Sequence, residues 1–303
     1  MDSVNKTLYI PLYGKSYVSK KGIILKDKKA EEIWEKEQFK LKGKSKSKWL
    51  SYYMGIRASV FDEWMEEQMI RYPEAVVVHI GCGLDSRVLR VGTNNHKWYD
   101  VDFPDVIAER RKYYSEDECY KMIDGDARIS DWLTNIPYNK HAILVLEGIS
   151  MYLTNSELKK LISNIGNHFE NVNLLMDCYS MFAAKISKYK NPVNDVGVTQ
   201  VYGLDNPKLV VGSNVFFKKE HEMTPIKYIE ELEGLEKFIF RKLYAGNLSK
   251  KLYKLYEFVP HYAVIMSKMW KQPPSKDSGC FFAVILFKSN KELWTNETPS
   301  VKL

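Results

Sequence analysis

Residues 75–87, AVVVHIGCGLDSR, constrain the fold more than any other part of the chain. A short, continuous, valine-rich run without alternation suits a strand buried on both faces of a parallel sheet. It breaks at Gly81-Cys82-Gly83 and leads into a helical segment over Ser86 to Arg90. Glycine permits a sharp turn and leaves no Cβ in the way of an approaching ligand. The helix start beyond it offers free N–H groups and the positive end of a dipole. Such a unit belongs at the carboxyl edge of an open α/β sheet, where ligands collect.

Four further segments read as strands: Lys97 to Asp102, a short piece within Tyr120 to Ala127, His141 to Gly148, and Asn171 to Ser180. Helical segments alternate with them, at Pro104 to Tyr114 and Ser156 to Phe169. Strands alternating with helices imply a parallel sheet. Upstream, Ala30 to Phe39 has helical spacing, Lys40 to Lys48 is a polar break, and a long helix follows until Pro73. Downstream the pattern weakens. Ser213 to Met223 is a candidate strand, and TPIKYIEEL starts a helix with Thr224 as cap and Pro225 at its first position. Residues 249–270 read as helical with a break at Pro260, and Gly279 to Ser289 reads as the last strand.

Bulk properties exclude several classes. The chain has 303 residues, 45% apolar and 27% charged, enough for a sizeable core without staples. Net charge is +7, and lysines crowd the first 50 residues. No nucleic-acid motif accompanies them, so they read as a solvated face and no nucleic-acid partner is expected. Cys82, Cys119, Cys178 and Cys280 form no C-x-x-C pair, so neither zinc nor redox chemistry is suggested. Their apolar neighbours suggest buried free thiols, which fits a reducing cytoplasm. The start MDSVNKTLYIPLYGK has no signal-peptide pattern, and no run approaches the roughly 18 apolar residues of a membrane span.

The glycine turn admits two cofactors. A nicotinamide dinucleotide asks for G-x-G-x-x-G, but the third position here is Ser86. Asp100 and Asp102, 17 and 19 residues after Gly83, stand where an acid takes ribose hydroxyls. Both cofactors carry that ribose. S-adenosylmethionine has no phosphate, and it needs a cation for its carboxylate and acceptors for its ammonium and adenine amino groups. Asp126 and Glu147 end the third and fourth candidate strands, so acids follow the second, third and fourth strands alike.

IGCGLDSR, WYDVDFPDVI, EGISMYLT and TLYIPLYGK together resemble the leucine carboxyl methyltransferase family. They are most similar to its bacterial branch of tetracenomycin-type polyketide O-methyltransferases. The resemblance covers residues 7–180 and the last candidate strand, and it is poor over 181–278. It implies an α/β class I methyltransferase fold: seven mostly parallel strands with the last antiparallel, helices on both faces and an extra helical lid. One domain over 1–303 is expected, with a helical cap at 1–72, a cofactor core at 73–180, a substrate lid at 181–278, and a final strand and tail. By the same resemblance Lys15 and Arg57 would lie near the methionyl carboxylate and Gly81 against the methionyl part. Asp102 of the D-F-P motif would take the ribose, Asp126 and Ala127 the adenine, and Glu147 the amino-acid end. Cys82, Gly83, Asp85, Phe103 and Gly148 complete the expected cofactor contacts. The branch often has Arg where this chain has Lys15, and Thr where it has Ser86.

The implied activity is S-adenosylmethionine-dependent methylation of a hydroxyl or carboxylate oxygen on a small molecule. A carboxylate acceptor needs no base, whereas a phenol or enol benefits from one. Arg57 and Tyr152 are the candidate catalytic residues, with His221 and His261 as further candidate bases, and Arg57 could also hold an acidic substrate. The aromatics of the 181–278 region either line an apolar pocket or pack helices onto the sheet. The rival readings are a protein C-terminal carboxyl methyltransferase, a non-catalytic S-adenosylmethionine binder and an NAD-dependent oxidoreductase.

Overall fold

The computed structural model describes residues 5–190 except 38 and 42, residues 200–246 except 213, and residues 251–263 except 262. The elements below all belong to one compact unit, Met1–His261.

Seven strands form one sheet: β1 (Val76–Ile80), β2 (Trp98–Asp102), β3 (Tyr120–Asp124), β4 (His141–Leu146), β5 (Asn171–Tyr179), β6 (Phe216–Glu220) and β7 (Tyr253–Val259). Their order is β3-β2-β1-β4-β5-β7-β6. β1 to β5 are mutually parallel, and β7 runs antiparallel to both β5 and β6. The expected class of sheet is therefore present. β1 is buried at all five positions and lies between β2 and β4, as its unbroken apolar run requires. The strand order reverses beside β1, so the crevice at its carboxyl end is a topological switch point.

Nine α-helices flank the sheet among the described residues: α1 (Tyr9–Lys21), α2 (Lys28–Glu37), α3 (Lys48–Arg71), α4 (Arg87–Val91), α5 (Pro104–Arg110), α6 (Asn155–His168), α7 (Met181–Lys190), α8 (Ile226–Ile229) and α9 (Gly234–Tyr244). α6 opens with a capping box, in which Thr154 and Glu157 satisfy each other's backbone N–H groups. α1 and α3 pack closely enough that glycine is needed at the contact. A Cβ on Gly14 would sit 2.7 Å from Met54 Cβ, and one on Gly55 would sit 2.7 Å from Val18 Cγ2. These glycines stand beside Lys15 and two residues before Arg57, so the helix contact also sets where both cations lie.

Three expectations need correction. Residues 253–259 form β7 and not a helix. Their residues alternate between two buried faces, with Leu255 in the core cluster under α3 and Tyr256 and Phe258 in the cluster on the opposite face. Apolar residues at nearly every position hide that alternation from a helical template. Seven strands are thus present among the described residues, and Gly279 to Ser289 lies outside them. α5 ends at Arg110, not Tyr114, and Pro225 is the cap of α8 while the Thr224 hydroxyl donates to the Tyr244 carbonyl at 3.2 Å. Cys82 and Cys178 are buried free thiols as expected, Cys119 is only half-buried, and Cys280 lies outside the described residues. Among the described residues, no helix is long and apolar enough to cross a membrane.

Candidate cofactor site

A cavity of about 620 Å³ opens at the carboxyl ends of β1, β2 and β4, with α1 and α3 forming its opposite wall. Every residue expected at the cofactor lines it: Lys15, Arg57, Gly81, Cys82, Gly83, Asp85, Asp102, Phe103, Asp126, Ala127, Glu147 and Gly148, with Tyr152 beside them.

The turn after β1 is left-handed at both glycines, with φ of +72° at Gly81 and +53° at Gly83. A Cβ on Gly81 would meet Ile149 Cγ2 at 2.1 Å. On Gly83 it would face open cavity, with Leu8 Cβ at 3.5 Å as its nearest neighbour. Asp102, the last residue of β2, folds back on this turn. Its Oδ2 accepts the Gly83 N–H at 2.7 Å and its Oδ1 the Phe103 N–H at 2.8 Å. Burial outweighs these two bonds and pushes the carboxyl up to about 6. A carboxylate raised in this way is short of donors, and each oxygen retains a lone pair for a hydroxyl.

Asp100, the alternative ribose acid, is enclosed further back along β2. It accepts from Trp98 Nε1 at 2.8 Å, from Tyr120 at 2.7 Å and from Arg110. It is fully buried and does not line the cavity. Burial works against its charge, but Arg110 and His79 hold it down to about 2. Period two puts both acids on the same face of β2, and position along the strand separates them: Asp100 is enclosed by its side-chain partners, whereas Asp102, at the carboxyl end, meets the cavity.

The cap wall is built of ion pairs. Lys15 Nζ lies 2.5 Å from Asp85 Oδ2. Arg57 donates Nε to Glu147 at 3.0 Å and Nη1 to Asp177 at 3.0 Å. Arg87 joins Glu147 to Asp62, and Arg90 joins Asp27, Asp62 and Asp85. Burial opposes the charge on Glu147, yet Lys15, Arg87 and Arg57 hold its carboxyl down to about 2. Sequence reasoning missed Asp27, Asp62, Arg87, Arg90 and Asp177, because most of their partners are distant along the chain, 25 residues for Arg87–Asp62 and 120 for Arg57–Asp177. Arg57 already bonds two carboxylates, so any incoming carboxylate would share it with them.

Asp126 lies further along the cavity and is paired with Arg128 through both oxygens. Arg128 in turn stands over the Phe103 ring, 5.8 Å from its centroid. At the other end Tyr53, Met54, Met151, Tyr152, Tyr179 and Tyr253 line the cavity. Tyr253 reaches it because antiparallel β7 begins opposite Tyr179, the last residue of β5. Burial pushes the hydroxyls of Tyr53, Tyr152 and Tyr253 upward in pKa, so they are donors and not bases at neutral pH. The thiol of Cys82 is also pushed well up by burial, which leaves it a packing group.

The two candidate histidine bases are elsewhere. His221 pairs with Glu257 at 2.8 Å and His261 stacks near Phe216, and neither lines the cavity. Of the described aromatics singled out after residue 180, Tyr253 alone reaches the cavity. Phe240, Tyr256 and Phe258 are core, and Phe238 is exposed. Tyr262 lies outside the described residues.

Residues 7–166 match the leucine carboxyl methyltransferase family. The tetracenomycin polyketide synthesis O-methyltransferase TcmP of Streptomyces glaucescens is 29% identical over 187 residues, 61% of this chain and 69% of that protein. The S-adenosyl-L-methionine-dependent methyltransferase dpfgK of Gibberella zeae is 29% identical over 180 residues, 54% of this chain and 60% of that protein. Among solved structures, magnesium protoporphyrin IX methyltransferase of Synechocystis superposes with a TM-score of 0.47 at 10% identity, covering 81% of this chain and 97% of that one. With the family match spanning more than half of its 303 residues, the chain belongs to the leucine carboxyl methyltransferase family and is an S-adenosylmethionine-dependent methyltransferase.

Proposed function

We propose that the protein methylates an oxygen of a small, largely apolar acceptor, and that this oxygen reaches the site already ionised, as a carboxylate or an acidic enol or phenol. The observation that carries this is the lining of the acceptor end. Beside Thr7, its described side chains are apolar groups and tyrosines, and burial raises the hydroxyls of Tyr53, Tyr152 and Tyr253. Such hydroxyls donate hydrogen bonds to an oxyanion, but they do not take a proton near neutrality. TcmP, an O-methyltransferase of polyketide synthesis, supports the acceptor class.

The cofactor's place rests on fit. Gly83 leaves room where a side chain would intrude, and Asp102 has lone pairs for a vicinal diol. Asp126 with Ala127 would hold the adenine end. Lys15 and Arg57 would hold the methionyl carboxylate, with Glu147 and the glycine turns around its ammonium. When bound, the cofactor supplies an activated methyl group on a sulfonium. The protein's own contribution is to orient, exclude water and hold the acceptor oxygen in line. The raised tyrosine hydroxyls would fix that oxygen, Tyr152 among them.

The test is a labelled methyl donor with paired acceptors of graded acidity: carboxylic acids, acidic polyphenols and simple phenols of similar size. Transfer should follow the ionised fraction of the acceptor. Equal transfer to weakly acidic phenols at neutral pH would require a base and contradict the proposal.

A further inference from the structure

The strongest group without an assigned task is Asp177, near the end of β5. It is buried at 4% exposure and does not line the cavity. Its three oxygens nevertheless reach three parts of the site. Oδ2 accepts from Arg57 Nη1 at 3.0 Å. Oδ1 accepts the Gly148 N–H at 2.6 Å, in the turn that follows β4. Its carbonyl accepts the Ser150 hydroxyl.

The turn that Asp177 holds is tight. Gly148 has φ +74°, and a Cβ there would come within 3.2 Å of Arg57 Nη2 and 3.4 Å of Nη1. The backbone at 148 and the guanidinium therefore lie against each other, and Asp177 is the one group bonded to both. Glu147 takes Arg57 Nε but spends its other oxygen on Arg87. Asp177 is thus what fixes the plane of the fork, because two acceptors on different nitrogens leave a guanidinium no rotation.

We propose that Asp177 is a positioning residue for methyl transfer. It orients Arg57 and the Gly148 turn toward the methionyl end of the cofactor without touching the cofactor itself. The idea rests on the cofactor placement proposed above. Keeping this carboxylate charged is costly, since burial pushes Asp177 up in spite of Arg57. A group retained at such cost, one strand away from the cavity, is expected to act through what it holds.

The experiment is a double-mutant cycle read by calorimetry with S-adenosylhomocysteine, using full-length protein. Asp177→Asn keeps a carbonyl oxygen for the Gly148 N–H and removes the charge that fixes Arg57, so it isolates that branch. It should weaken binding about tenfold, equivalent to about 1.4 kcal/mol. In an Arg57→Gln background the same change should alter binding less than about twofold, because coupled residues are non-additive. Asp177→Glu, which restores the charge, should recover part of the loss. His221→Gln, which lies away from the cavity, should bind like the parent. A tenfold loss that persists in the Arg57→Gln background, or an unchanged affinity for Asp177→Asn, overturns the positioning role. A parent protein that binds no S-adenosylhomocysteine overturns the cofactor placement instead, so the two failures are told apart.

Discussion

The two walls of the cavity present opposite electrostatics. The turn wall, built from the carboxyl ends of β1, β2 and β4, carries Asp102, a carboxylate held by two backbone donors and raised to about 6. The cap wall, built from α1 and α3, carries Lys15 and Arg57, each already matched by buried carboxylates. One wall has spare acceptor capacity before a ligand arrives. The other must share its cations between internal carboxylates and an incoming one. A zwitterionic ligand with a diol at its other end thus meets an open acceptor at the ribose and an exchange of partners at the amino acid. Ribose recognition should respond sharply to single changes, whereas the cap should answer through its network.

The largest effect is expected from the turn wall's backbone. Gly81→Ala places a Cβ 2.1 Å from Ile149 Cγ2 at a φ of +72°. It should cost about 2–5 kcal/mol of folding stability in a denaturant melt, from overpacking and strain together. A cap glycine provides the contrast. Gly14→Ala should cost about 1–3 kcal/mol by pushing α1 off Met54, and should weaken cofactor binding by moving Lys15.

Removing a charge from the cap comes next. Lys15→Met leaves Asp85 with Arg90 and Arg87. The loss of S-adenosylhomocysteine affinity should be about 0.5 kcal/mol, the low end for one hydrogen bond, because the cation is shared among partners. A loss as large as that of Asp102→Ala would erase the distinction between the walls.

pH separates the walls in a different way. Asp102 is raised from its ordinary range to about 6 in the folded protein. Its contribution to folding is fully present below its ordinary value near 4 and is lost as pH rises through about 6. Ligand affinity should move the other way, because only the carboxylate accepts from both ribose hydroxyls. Thermal melts with and without S-adenosylhomocysteine should therefore diverge between pH 4 and 7, the ligand-induced shift growing as this contribution falls. The smallest effect belongs outside both walls: His221→Gln should leave methyl transfer unchanged, since His221 is paired with Glu257 away from the cavity.

The two walls were also unequally legible in the sequence. The turn wall is written locally. Val76 to Ile80, two glycines and an acid at each strand end lie in contiguous motifs. Sequence alone left Asp100 and Asp102 both in play, and only the partners of Asp100 separate them. The cap wall depends on contacts between distant helices. α1 was not recognised as a helix because seven of its thirteen residues are buried, including Gly14, Lys15, Ser16 and Ser19, so it has no clean apolar stripe. Lys15 and Arg57 come from the family resemblance, as do Asp85 and Glu147, whereas Asp177, the second carboxylate on Arg57, has no local signal. After residue 180 the same difficulty recurs. β7 is apolar on both faces and reads as a helix, and its Tyr253 enters the cavity only because the strand is antiparallel to β5.

The most direct test is calorimetric titration of S-adenosylhomocysteine into the parent protein and Asp102→Ala at pH 7.5. The account predicts one-to-one binding to the parent and a loss of about 1–3 kcal/mol in the variant, from ribose hydroxyls left without their acceptor. Equal affinities in the two proteins would contradict it, since Asp100 has no route to the cavity by which to take over the role.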